Sequence, residues 1–160
     1  MSRFIEIDFS QLTNILSELQ SVGDRAADLK PVARQIALII SSYTDQVFDS
    51  APSTTVSGTV FNGAFWEALS LKYRAARNKS GKKSKSRDNG LQLRDTGALI
   101  NSLQVGGAGN FFQSGNDFIE FGTNLPQGFN NNSRAFLTHT DDLSNLVAKA
   151  LENYIITGET

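Results

Sequence analysis

The hydrophobic residues of this 160-residue chain change their period along its length, and that change limits the folds open to it. Across 31–47 they recur every three or four positions. Val32, Ile36, Ile39, Tyr43 and Val47 form one stripe, widened by Ala33, Ala37 and Ile40. Pro31 suits the first turn of such a helix, where its missing N–H has no partner to lose. The same spacing returns near the end in Leu143, Leu146, Val147, Ala150, Leu151, Tyr154 and Ile155, behind a Thr140-Asp141-Asp142 start signal whose acids face the positive end of the dipole. Between these helices, Leu103 with Val105, then 111–112, then 118–121 read as short strands broken by 106–110 and 114–117, a β-meander. Blocks of different period describe an α+β domain spanning 1–160. A small, mostly antiparallel sheet is packed by a long helix and flanked by N- and C-terminal amphipathic helices.

The N-terminal third carries weaker signals. Residues 4–9 alternate as a short strand would, and Ser10 is placed to cap a helix with Leu12, Ile15, Leu16 and Leu19 on one face and Gly23 as its stop. Residues 52–63 read as a loop with one extended piece at 56–61. Phe65, Trp66, Leu69 and Tyr73 then suggest a third helix, with Trp66 in the core.

Composition narrows the chemistry. Cysteine is absent, which removes disulfides, thiolate metal sites and cysteine nucleophiles, and suits a reducing cytoplasm. No stretch nears the roughly 18 apolar residues of a membrane span, and the first residues lack a signal-peptide pattern, so a soluble protein without membrane partners is expected. The net charge of −1 conceals an asymmetry. Lys72, Arg74, Arg77, Lys79, Lys82, Lys83, Lys85 and Arg87 carry eight of the fifteen basic residues in one acid-free stretch, so the rest is acidic. Within it, 78–90 has no apolar side chain before Leu91 and reads as a mobile loop. Lys79, Lys82, Lys83, Lys85 and Arg87 are its candidate partner contacts. A nucleic-acid-binding module would rest on this loop alone, without interleaved aromatics or a reading helix.

Leu93-Arg94-Asp95-Thr96-Gly97-Ala98-Leu99-Ile100-Asn101-Ser102 is the stretch with two opposed readings. Asp95-Thr96-Gly97 is the tripeptide of dimeric aspartic proteases, in which two chains each supply one carboxylate and the pair shares a proton. Arg94 directly before Asp95 is a poor fit. A second candidate, Ile155-Ile156-Thr157-Gly158, has no helix after it. The plainer reading makes Asp95 a helix N-cap, with Leu99, Ile100 and Leu103 burying the short helix behind it. The glycines at 106, 107 and 109 lack a following helix with a lysine and read as a turn, not a phosphate cradle. His139, the only histidine, reads as part of the loop entering the last helix.

Taken together, Trp66-Glu67-Ala68-Leu69-Ser70, the basic run from Lys79 to Arg87, the Leu93 to Ser102 motif, Gly122-Thr123-Asn124-Leu125-Pro126 and Arg134-Ala135-Phe136-Leu137 resemble, in order and spacing, the virion-morphogenesis or tail-completion family of tailed bacteriophages. The resemblance covers most of the chain and departs after Pro126. There relatives continue Tyr-Ala-x-x-His-Gln-x-Gly, and this chain has Gln127-Gly128-Phe129-Asn130-Asn131. It implies a structural, non-enzymatic α+β subunit without cofactors. Such a subunit forms a homo-oligomeric ring, expected to be a hexamer, at the head–tail junction of the virion, after assembly in the bacterial host cytoplasm. Its implied partners are the tail tube protein and the neck or connector protein, with the sheath as a further candidate. Genomic DNA passes through without sequence-specific binding. Trp66, Arg94, Asp95, Thr96, Gly97, Gly122, Thr123, Asn124, Pro126, Arg134 and Phe136 are the motif residues expected to matter structurally.

Overall fold

A computed structural model describes residues 10–72, 92–93, 97–126, 128 and 133–160, with only the backbone of 10–14. The expected strand at 4–9, the basic loop at 78–90, and Arg94, Asp95 and Thr96 lie outside the described residues.

The fold is α+β, as the change of period predicts. Helix α1 (Ser10–Ala27) leads into α2 (Lys30–Asp49), a hairpin of β1 (Gly58–Thr59) and β2 (Phe65–Trp66), the short helix α3 (Ala98–Ser102), a second hairpin of β3 (Asn110–Ser114) and β4 (Ile119–Thr123), and helix α4 (Asp141–Thr157). The antiparallel strands form two separate two-stranded sheets.

Helix α2 organises the rest. Pro31 occupies its first turn, and Asp28 accepts a hydrogen bond from the Lys30 N–H at 3.1 Å, satisfying one donor of the helix start. Tyr43, Val47 and Phe48 of its C-terminal half join Ala51, Val60, Trp66, Leu99, Leu103 and Phe136 in the larger core cluster. Val32 and Ile36 of its N-terminal half meet Tyr154 of α4 in a smaller one. Helix α4 is held at both ends. Thr140 caps it by accepting from the Leu143 N–H at 3.2 Å and meets the Tyr43 hydroxyl at 2.7 Å, and near the other end Tyr154 donates to the Asp28 carbonyl at 3.0 Å.

Three sequence expectations are corrected, and the exposure of α1 is added to them. Helix α1 does not stop at Gly23 but runs to Ala27, because Arg25 in its last turn donates to the Ile155 and Ile156 carbonyls at 2.7 and 2.9 Å. Those bonds cap the C-terminus of α4 and outweigh the helix cost of one glycine, about 1 kcal/mol. The apolar stripe of α1 is helical but largely unburied: Leu16 and Leu19 keep 65% and 62% of their surface exposed. Phe65 and Trp66 are not helical. They pair with Thr59 and Gly58 across a turn in which Gly63 has φ +80° and the Asn62 carboxamide oxygen accepts from the Ala64 N–H. Asn62-Gly63 is a hairpin signal that the aromatic spacing around it obscures. Leu103 and Val105 form a turn after α3 instead of a strand.

Candidate functional site

Two clusters of inward-turned polar side chains carry the motif residues. In the first, the Ser102 hydroxyl lies at the end of α3, fully buried, 2.7 Å from the Leu99 carbonyl and 2.7 Å from the Thr123 hydroxyl of β4. Thr123 in turn accepts from the Leu125 N–H at 3.1 Å. The Asn110 side-chain amide donates to the carbonyls of Ser102 and Gly122, and the Asn124 N–H donates to the Gly109 carbonyl at 2.9 Å. The Leu93–Ser102 and Gly122–Pro126 segments, about twenty residues apart in sequence, therefore meet through one hydroxyl pair. The neighbouring glycines serve packing: a Cβ on Gly107 would overlap the Asn101 carbonyl oxygen, so the turn after α3 passes against that helix only because no side chain is present.

The second cluster centres on Gln92, 0% exposed. Its backbone N–H donates to the Pro52 carbonyl at 3.1 Å, and its side-chain amide donates to the carbonyls of Ser53 and Val56 at 3.3 and 3.2 Å. Its remaining oxygen accepts from Arg134 Nε at 2.6 Å, and Arg134 Nη2 reaches the Glu67 carbonyl at 3.2 Å. Three loops, 52–56, 67 and 134, are thereby tied to one buried carboxamide, with every polar atom of Gln92's side chain engaged. Leu93 beside it has φ +60°, a left-handed conformation costly for a residue with a Cβ and held by its packing on the larger core. Trp66 is fully buried against Phe48, rings edge to face at 6.2 Å, and its indole N–H has no hydrogen-bond partner among the described residues. Phe136 also packs on Phe48, with ring centroids 5.4 Å apart.

The remaining motif residues fall as follows. Gly97, not Asp95, is the N-cap of the short helix; it has φ +71° and makes no side-chain cap bond. Gly122 lies in regular extended backbone opposite Phe111, with open space where a Cβ would stand. Asn124 and Pro126 are exposed in the turn that leaves β4. Gln92, Ser102 and Asn110 were not singled out from sequence. A polar residue between Leu91 and Leu93 was the available sign for Gln92, and its position as the last residue of the motif was the sign for Ser102.

His139 and the Ile155–Gly158 segment are placed as follows. His139 Nε2 lies 2.8 Å from the Ser144 hydroxyl, but that hydroxyl also lies 2.7 Å from the Thr140 carbonyl, where its one proton is used within the helix. The Ile155–Gly158 segment is the last turn and C-cap of α4, closed by Gly158 at φ +80°, and not a strand-bounded loop. Among the described residues no three His, Asp or Glu side chains gather as a metal site, and no helix is long and apolar enough to cross a membrane. Comparison of the chain with protein-family models, curated proteins and solved structures gives no match.

Proposed function

We propose that the chain is a structural subunit of the head–tail junction of a tailed bacteriophage, a ring-forming protein, hexameric by expectation, that completes the tail tube and joins it to the neck. The observation that carries this reading is the convergence of the motif segments. Ser102 of one meets Thr123 of the other, and Arg134 of a third spans to Gln92 next to the first. Polar residues in that pattern hold backbone to backbone and fix the shape of a surface, which is what an assembly protein requires of its motifs. A closed ring needs two different complementary surfaces on each subunit, and a chain with one basic segment on an otherwise acidic body has the charge distribution for such a contact.

Negative-stain imaging and mass determination, with and without tail tubes of the same phage, test the reading. Sixfold rings, or added density at one tube end, are the expected result. A protein that stays monomeric and ignores tubes refutes it. Neutralising Lys82, Lys83 and Lys85 together is expected to weaken tail joining and to make the residual joining less salt-dependent. A dimeric aspartic protease would instead cleave peptides and lose that activity in Asp95→Ala.

A further inference from the structure

Asn62-Gly63 carries chemistry as well as a turn. A glycine after an asparagine has no side chain to shield its nitrogen, so in an open chain that nitrogen attacks the carboxamide carbon without a catalyst. The bond that forms joins the Gly63 nitrogen to Asn62 Cγ. The bond that breaks is Cγ–Nδ2, and Nδ2 leaves as ammonia, taking the Gly63 amide proton by way of solvent. Water then opens the five-membered succinimide at either carbonyl. One opening gives aspartate; the other gives isoaspartate, whose main chain runs through the former side chain and is one methylene longer.

The folded hairpin engages every group this reaction needs. The Gly63 N–H donates to the Val60 carbonyl at 2.8 Å, and the Val60 N–H donates to the Ala64 carbonyl at 2.9 Å, closing a three-residue loop with Gly63 in the left-handed region. The Asn62 carboxamide is fixed at both of its polar atoms. Its nitrogen donates to the Ala135 carbonyl at 2.9 Å and to the Thr138 hydroxyl at 3.1 Å, and its oxygen accepts from the Ala64 N–H at 3.0 Å. Ring closure requires the Gly63 nitrogen to lose its proton and the carboxamide to turn its carbon toward that nitrogen. The bond to Val60 opposes the first, and the bonds to Ala135 and Thr138 must break for the second. Gly63 itself is exposed, so water reaches the turn and hydrogen bonding, not burial, is the restraint.

We infer that Asn62 is a self-modification site held closed by the folded hairpin, and that its conversion irreversibly cuts the tie between the first hairpin and the Ala135 to Thr138 segment. A carboxylate at position 62 donates nothing and would set its negative oxygens against the Ala135 carbonyl. The isoaspartate product also lengthens the loop between Thr59 and Phe65, disturbing the register that sets Trp66 in the core. Each opening of the hairpin therefore exposes the chain to a chemical step from which the native contacts do not return. This inference does not depend on the proposed function.

Peptide mapping of the full chain by mass spectrometry tests it. Cleavage after Arg34 and Lys72 yields a 35–72 peptide in which Asn62 is the only asparagine, and the second Asn-Gly pair, Asn89-Gly90, which lies outside the described residues, falls on another peptide. Incubated in mildly alkaline buffer, the native protein is expected to convert Asn62 about tenfold more slowly, or slower still, than the same protein in unfolding urea. Thr138→Ala removes one acceptor and is expected to speed native conversion by about two- to tenfold while leaving the rate in urea unchanged, since there only the chain neighbours of Asn62 matter. Converted protein, returned to native buffer, is expected to unfold at a lower urea midpoint than unconverted protein. Equal rates in native buffer and in urea would overturn the closed state, and no conversion in urea would overturn the site itself. An unchanged midpoint after conversion would overturn the tie to Ala135 and Thr138.

Discussion

At the scale of single residues, the buried polar atoms decide more than the aromatic ones. Gln92 satisfies two carbonyls and orients Arg134, so a substitution that keeps its volume and removes its polarity strands all of these partners. Gln92→Met is expected to lower unfolding stability by on the order of 3 kcal/mol, read from urea denaturation at constant m. A loss under about 0.5 kcal/mol would mean that water replaces the carboxamide and that the cluster does not organise the loops. The hydroxyl pair invites a finer test. Ser102→Ala and Thr123→Val should each cost about 1–3 kcal/mol, and the double variant less than their sum, because the second change removes a group already left without its partner. Additive costs would show that the two hydroxyls act separately.

At the scale of elements, helices α1 and α2 separate by their environments. Helix α2 is buried along most of its length, whereas α1 keeps its apolar stripe in solvent and is tied down mainly by Arg25 on the end of α4. Amide exchange is therefore expected to be faster in α1 than in α2, with opening of α1 preceding global unfolding. Arg25→Ala should raise exchange further in α1 and in the last turn of α4, and equal protection across both helices would contradict this account. The turn after α3 depends on a close backbone approach, so Gly107→Ala must displace the Asn101 carbonyl. A loss of about 2 kcal/mol or more, read as a lowered thermal midpoint, is expected there.

At the scale of the molecule, apolar side chains are distributed unevenly between core and surface. Ile15, Leu16 and Leu19 on α1, and Val56, Phe61, Phe65 and Leu71 around the first hairpin, remain exposed while the centre is closely filled. Replacing Leu16 and Leu19 by lysine should leave the stability of the isolated subunit within about 0.5 kcal/mol per site, because little buried surface is lost. A larger loss, seen in the same denaturation experiment, would mean that α1 folds back onto the domain in solution.

Sequence alone was sufficient for elements whose signal is local and long. The stripe of α2 and the Thr140 start of α4 each repeat over many residues, so no distant partner is needed to recognise them. It also separated α from β blocks and placed Trp66 in the core. Tertiary structure decided what short signals leave open. Phe65 and Trp66 lie in a strand because Asn62-Gly63 folds the chain back on Gly58–Thr59, an outcome set by pairing and not by aromatic spacing. The end of α1 was decided by an arginine reaching a helix some 130 residues away, and its stripe was left uncovered because side-chain periodicity fixes a face without supplying a neighbour. The roles of Gln92, Ser102 and Thr123 likewise exist only between segments, since a buried polar group acquires its function from whichever backbone groups the fold brings within hydrogen-bond reach.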